Sequence, residues 1–494
     1  MGDFSGVVKL ANISDFIAPS QACVVNLDGT KKASDTDGQP PSASLEVQQH
    51  VRKKGGKKIT QLAEEPVKVT LHDCLACSGC VTSAETVLLE HQGVEELLSK
   101  LADPDVIVAI SVSPQTRASI AAGFNISPAK ALRFLSGFLR SLGADYVFDL
   151  TTARDFSLVQ SGREFVERYK KNKVSNSVEE RRRSNQKTST SMENCHGHFP
   201  MLASSCPGWI CYAEKTHGDY ILPYISGTRS PQATMGALLK QHFFRDVKDI
   251  PAERIYHCTL MPCYDKKLEA SRPEFNFPES DTPEVDSSLT SIEIFELISK
   301  EGFDFANSVE AHVDCLDGKQ DECSILYGFP GGSGGSAEFI YRYAAKELFG
   351  VEVPQGPLPV VTLRNADFKE IALEVDGSEG LRFALAYGFR NIQTLVRKVK
   401  RGISQYHYVE VMACPSGCLN GGGQGKPRKQ QSALDLLKSV EEAYSHQDVV
   451  YRQPSENPIV RDFCSGPREE FRDSLFRATY QKREKLVSTT VGDW

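Results

Sequence analysis

Three cysteine signatures, far apart in the chain, constrain this sequence more than any other feature. They are Ser205-Cys206-Pro207-Gly208-Trp209, Met261-Pro262-Cys263-Tyr264-Asp265-Lys266 and Met412-Ala413-Cys414-Pro415-Ser416-Gly417-Cys418, the last followed by Leu419-Asn420-Gly421-Gly422-Gly423. Each puts one or two thiols beside Pro or Gly, and together they supply four. Four thiolates from distant loops can hold one iron–sulfur cubane between two lobes of a fold. A second set, Cys74, Cys77 and Cys80, has two residues between successive cysteines. That spacing wraps three corners of another cubane, and Gly79 allows the tight turn. The fourth ligand has to come from elsewhere, and Cys23 is the economical candidate on the N-terminal side. Zinc, with His72 in reach, and unligated thiols are the alternatives for this triplet, although zinc usually takes two separated pairs.

The 494 residues are ample for a large core and for about three domains. Fourteen cysteines are too few for a disulfide scaffold at this length and too clustered to be scattered core residues. With 57 basic against 64 acidic side chains, the formal charge of −7 argues against direct nucleic-acid binding. We read no secretory signal, and no apolar stretch approaches a bilayer span, so no membrane association is expected. Met1-Gly2 lacks the Ser or Thr of a myristoylation motif, since Gly6 stands there. A reducing compartment, cytoplasm or nucleus, leaves thiols free for metal.

Residues 1–100 are expected to form an N-terminal cluster domain. Within it, residues 28–58 form a polar, flexible insert that ends in a basic run best read as solvated surface. From about residue 105 the pattern alternates strand and helix. Strands are predicted at Val106–Val112 and Tyr146–Leu150, and near 255–260, 358–363 and 406–412. This implies an α/β fold with parallel sheets covered on both faces. The predicted lobes are 101–250 and 251–428, followed by a helical segment and tail over 429–494. Residues 170–194, rich in charge, Ser and Asn, read as an exposed insertion. Cys263 and Cys414 each follow a predicted strand, at the carboxyl ends where α/β sheets build ligand crevices.

With those residues in hand, the three signature loops resemble those of the iron-only hydrogenases. Glu269, Ser230-Pro231-Gln232 and the loop Gly331-Gly332-Ser333-Gly334-Gly335 also match in order, and the resemblance covers residues 70 to 480. It implies that Cys206, Cys263, Cys414 and Cys418 bind a 4Fe–4S cluster. In the family, the position of Cys418 also bridges to a diiron subsite, and that of Lys266 hydrogen-bonds a diatomic ligand of that subsite. A buried ammonium would in any case offset an anionic cluster, although Lys266 beside Lys267 also reads as plain surface. Hydrogenases carry a second cysteine at Ser205, which relays protons. A hydroxyl is a far weaker acid than a thiol of pKa about 8.5. Gln160 and Ser161 stand where acidic relay residues are expected, with Glu164 left nearby.

The segments Phe16–Cys23 and Cys195–Gly218 resemble a eukaryotic branch, the hydrogenase-like proteins of cytosolic iron–sulfur assembly. That branch implies two 4Fe–4S clusters, the second held by Cys23, Cys74, Cys77 and Cys80, and no hydrogenase activity. It also implies an adaptor role between early cluster assembly and the targeting complex of WD-repeat and scaffold subunits that serves client apoproteins. A true hydrogenase or an electron-transfer oxidoreductase is the rival reading. The terminal Asp493-Trp494 resembles the acid–aromatic tail that docks on the targeting complex, with Gly492 a departure from the usual form. Arg452, Ser455, Asn457, Pro458 and Ile459 resemble the small-subunit segment that wraps hydrogenase catalytic domains. Cys211, Cys258, Cys315, Cys323 and Cys464 read as free thiols.

Overall fold

The computed structural model describes residues 92–183, 198–277, 280–303, 309–318, 325–375, 377–464 and 475–483. Cys23, Cys74, Cys77, Cys80, Asp493 and Trp494 lie outside the described residues, as does the expected N-terminal domain but for its last few residues. In chain order the first half of the fold comprises α1 (Val94–Leu101), β1 (Ile107–Val112), α2 (Pro114–Phe124), α3 (Pro128–Ser141), β2 (Tyr146–Asp149), α4 (Thr151–Arg183), β3 (Met201–Ala203), α5 (Pro207–His217), α6 (Pro231–Ala237) and β4 (Ile255–Met261). Then come α7 (Asp265–Ala270), β5 (Ser287–Thr290), α8 (Ser291–Lys300), β6 (Tyr327–Gly328), α9 (Ser336–Phe349), β7 (Val361–Thr362), β8 (Phe368–Val375), β9 (Ser378–Tyr387), α10 (Phe389–Lys400), β10 (Tyr408–Met412), α11 (Ala433–Tyr444), β11 (Val450–Tyr451) and α12 (Pro458–Cys464).

Two sheets organise these elements. One is all-parallel, in the order β2-β1-β4-β5. The other runs β3-β10-β9-β8-β7, parallel through β9 and antiparallel at the β8 and β7 edge. Side-chain alternation sorts the core into layers. Ala109 and Phe148 of the first sheet, and Met201, Ala203, Phe383 and Tyr408 of the second, share one central core with α4, α6 and α9. The opposite parity, Val108, Ile110 and Val112, faces α1, α2, α3 and α8. Leu202, Ala384, Val409 and Val411 face α5 and α10. The result is helix, sheet, helix, sheet, helix, with both sheets buried on two faces. Helices start on side-chain caps where the sequence offers them: Ser113, Ser127 and Ser230 each precede a proline and accept an N–H from the first turn.

Several expectations need correction. The division expected at residue 250 does not follow the sheets: β3 joins the second sheet, and β4 and β5 join the first. The exposed insertion expected from residue 170 begins instead as the last turns of α4, which runs for 33 residues to Arg183. The strand expected over 358–363 is only the exposed two-residue edge β7. The segment expected to be helical after 429 is mixed, because β11 follows α11 and residues 475–483 hold no helix. This strap pairs at Thr228 with Arg477, and Ala478 N–H donates to Gly227 O at 2.7 Å. Cys315 is not a free thiol but is disulfide-bonded.

Phe156, fully buried on α4, pins the C-terminal elements. Its ring stacks on Phe476 of the strap at 5.1 Å and meets Phe463 of α12 edge-on at 5.2 Å. Phe156→Ala should destabilise the fold by about 3–5 kcal/mol. The urea midpoint should fall accordingly, and limited proteolysis should cut first between 464 and 483.

Candidate iron–sulfur site

The cysteines of all three signatures sit just past the carboxyl ends of parallel strands. Cys206 follows β3 and caps α5. Cys263 lies between β4 and α7, and Cys414 and Cys418 lie in the loop after β10. Because β3 and β10 belong to one sheet and β4 to the other, the ends of both sheets open into one crevice. There Cys206, Cys263, Cys414 and Cys418 line a single cavity of about 680 Å³, counting its open mouth. Among the described residues, no three His, Cys, Asp or Glu side chains close on a point small enough for one metal ion. The four thiols instead surround a space, the arrangement a multi-iron cluster needs.

The loops are tied to one another as well as to the sheets. Ser204 Oγ donates to Val411 O at 2.5 Å and accepts the Cys206 N–H at 3.0 Å, joining the first loop to β10. Gly423 N–H donates to Pro262 O at 2.9 Å, joining the third loop to the second. A Cβ on Gly208 would lie 2.4 Å from Asp265 Oδ2, so only glycine lets the first two loops approach this closely. Gly417 has φ of 80°, and a Cβ there would sit 2.1 Å from Ser333 Oγ. That hydroxyl accepts the Cys418 N–H at 3.1 Å, which brings the predicted glycine loop before α9 against the cluster loop.

Lys266 is not surface: it is 4 % exposed and lines the cavity. Its Nζ pairs with Glu269 Oε2 at 2.5 Å and donates to Ser230 Oγ at 3.2 Å. Gln232 Nε2 donates to Lys266 O at 2.9 Å, and Gln232 Oε1 accepts the Thr259 hydroxyl at 2.9 Å. The predicted Ser-Pro-Gln motif therefore clamps the backbone and the head of Lys266. Lys267 is buried too, bound to Gln92 O at 2.6 Å and Glu293 at 2.7 Å.

The surroundings of Cys206, Cys263 and Cys418 favour their protonated thiols. Loss of water, with Asp265 adding to it, raises Cys206. The same burial, then Asp265 and the other three cysteines, pushes Cys263 well above its ordinary value. Burial and the neighbouring Cys206 push Cys418 up to about 12. Burial lifts the Asp265 carboxyl to about 6, opposed by Lys266. Binding a cluster displaces the thiol protons, so loading is favoured as pH rises. Anaerobic reconstitution with iron and sulfide should therefore bind more tightly at about pH 9 than at about pH 7, followed by cluster absorbance.

Residues 106–422 match the family described as "Iron only hydrogenase large subunit, C-terminal domain". The chain belongs to that family. Its relatives lie in the cytosolic assembly branch. A protein of Xenopus tropicalis named "Cytosolic Fe-S cluster assembly factor narfl" is 46% identical over 99% of both chains. One of Mus musculus named "Cytosolic iron-sulfur assembly component 3" is 44% identical, and "Protein NAR1" of Arabidopsis thaliana is 42% identical, again over 99% of each. Among solved structures, an FeFe-hydrogenase from Chlamydomonas reinhardtii aligns with a TM-score of 0.66 at 26% identity, covering 79% of this chain and 99% of that one. The predicted α/β hydrogenase-like fold is thus the fold observed.

Within this hydrogenase fold the expected proton route is weak in its side chains. Ser205 lines the cavity beside Cys206. Glu164, the acid the sequence leaves beside Gln160 and Ser161, is fully engaged. It accepts from Ser226 at 2.6 Å, Gly227 N–H at 3.0 Å and Thr228 at 2.9 Å, and pairs with Arg168 at 2.6 Å. Arg452 and Asn457 of the predicted wrapping segment converge on Asp155 Oδ2, at 3.2 and 2.9 Å. Sequence reasoning missed Arg154, which lines the same cavity, and Asp265, although the latter sits inside a quoted signature.

Proposed function

We propose that this chain is a cluster-carrying adaptor of cytosolic iron–sulfur protein assembly and has no hydrogenase activity. The observation that carries the reading is the single cavity lined by Cys206, Cys263, Cys414 and Cys418. These residues suit a 4Fe–4S cluster, which supplies low-potential electron storage when bound. Four thiolates around one cubane leave a net anion, and the Lys266 ammonium, paired with Glu269, is a buried donor on that wall. Cys74, Cys77 and Cys80, on their spacing, with Cys23 as the N-terminal cysteine left to complete the set and the family resemblance behind both, are assigned a second 4Fe–4S cluster. The rival reading, a hydrogenase or electron-transfer oxidoreductase, is disfavoured by Ser205 in place of a thiol and by a Glu164 already bound by four donors.

The partners we assign are the WD-repeat and scaffold subunits of the targeting complex, and the client apoproteins it serves. Asp493 and Trp494 form the docking tail, and the site of action is the cytoplasm and the nucleus. The names of the relatives support membership of the assembly machinery. The described part of the chain holds no helix long and apolar enough to cross a membrane.

Anaerobic purification with iron and sulfide quantitation and electron paramagnetic resonance tests the cluster reading. Cys414→Ala should remove about half the iron, one of two cubanes, whereas Cys211→Ser, a free thiol outside the cavity wall, should remove none. Equal loss from both variants would reject the ligand assignment. Hydrogen uptake with infrared bands of bound carbon monoxide or cyanide would overturn the non-enzymatic reading. Deleting Trp494 should weaken co-purification of the targeting complex at unchanged iron content, and undiminished recovery would reject the docking tail.

A further inference from the structure

Behind the four-thiol cavity lies a second one of about 440 Å³, counting its open mouth, sharing with it the wall formed by Arg154, Ser205, Pro231, Ser333, Gly334 and Met412. Among the described residues, no carboxylate lines this second space. Arg154, on the first turn of α4, is 3 % exposed; no acceptor meets its Nε or Nη1 in good hydrogen-bond geometry, and the buried Tyr444 hydroxyl is the neutral polar group beside its guanidinium. A buried guanidinium with donors left over is costly unless water or a ligand completes it.

The charges around Arg154 do not cancel. Its Nη2 pairs with Asp155 Oδ1 at 2.9 Å, but Asp155 Oδ2 is shared with Arg452 at 3.2 Å. Two cations on one anion leave a net positive charge beside the cavity. Asp149, the other carboxylate near Arg154, is already taken by Arg117 and by the Thr151 N–H and hydroxyl, at 2.8 and 2.5 Å. Lys266 contributes no net charge because Glu269 neutralises it.

The hydroxyls on the wall are of two kinds. Ser226 and Thr228 donate to Glu164, Ser230 donates to Glu269, and Ser204 donates to Val411 O, so these protons point away from the space. No hydrogen bond to another described residue ties up the hydroxyls of Ser161 and Ser205, which leaves them as donors beside Arg154.

We propose that this second cavity is a binding site for a small oxoanion of phosphate or sulfate size, or a carboxylate, held by Arg154 with Ser161 and Ser205 next to the four-thiol site. Charge-assisted donors from a buried guanidinium are the usual means of holding such an anion. The site goes beyond the adaptor reading and does not depend on it, since neither Arg154 nor Ser161 is assigned to a cluster.

Equilibrium dialysis of radiolabelled inorganic phosphate against the full-length, cluster-containing chain tests the proposal. The chain should bind one phosphate saturably. Arg154→Gln should weaken binding by about tenfold or more, the loss of a charged hydrogen-bond donor, at unchanged iron content. Ser161→Ala should also weaken it, at unchanged melting temperature. Should Arg154→Gln fail to fold, Arg154→Lys, which keeps the charge but loses the planar donors, and Ser161→Ala decide the matter. Displacement by sulfate alone assigns an oxoanion, and displacement by acetate as well extends the class to carboxylates. Absence of saturable phosphate binding, or undiminished binding in every variant that folds, would overturn the site. Because iron is measured in the same samples, failure of the anion site and failure of the cluster reading are told apart.

Discussion

The structure depends on a convergence constraint: loops from two different sheets must meet at one crevice and stay there. The loops after β3, β4 and β10 are bound directly to each other, through the Ser204 hydroxyl, the Gly423–Pro262 backbone bond and the close pass of Gly208 over Asp265. Such contacts tolerate no extra side-chain volume, which is why proline and glycine flank the cysteines. The five-layer packing underneath gives the loops rigid anchors, since every strand that delivers a thiol is buried on both faces.

The same convergence makes the site electrostatically demanding. Removing water from several thiols raises them, and the neighbouring Asp265 adds to the effect. The compensation is local: Lys266 with Glu269 and Ser230, and Gln232 across the top of β4. Further back, Arg154 and Arg452 share Asp155 and leave a positive charge beside the polar cavity. The crevice therefore has a sulfur-rich wall and a cationic, hydroxyl-lined rear. The acidic side chains that a proton route would use are absent from that rear or, like Glu164, already saturated.

Much of this was legible in the chain. The strands at Ile107–Val112, Tyr146–Asp149, Ile255–Met261 and Tyr408–Met412 announce themselves as short, mostly apolar runs rich in β-branched and aromatic residues, because they lie inside buried sheets. The short β3 and the antiparallel pair β8–β9 do not, since three residues carry no period and an edge pair is part polar. The lobes were misdivided for a related reason. Local pattern reveals where a strand lies but not which sheet it joins. Lys266 read as surface because two adjacent lysines do so in most contexts. Only packing shows that each one finds its own buried carboxylate.

The sequence by itself supplied the four candidate thiols of this crevice and the motifs that carry its family, because thiols beside Pro and Gly at these spacings have few other uses. It also carried the serine at 205, where the resemblance to hydrogenases leads one to expect a second cysteine. Tertiary structure alone decided that the four thiols share one cavity, that Glu164 is spent on the 226–228 loop, and that Arg154 faces a polar space with unmet donors. Those properties arise between residues tens to hundreds of positions apart, where burial and charge are set by neighbours that local pattern cannot name.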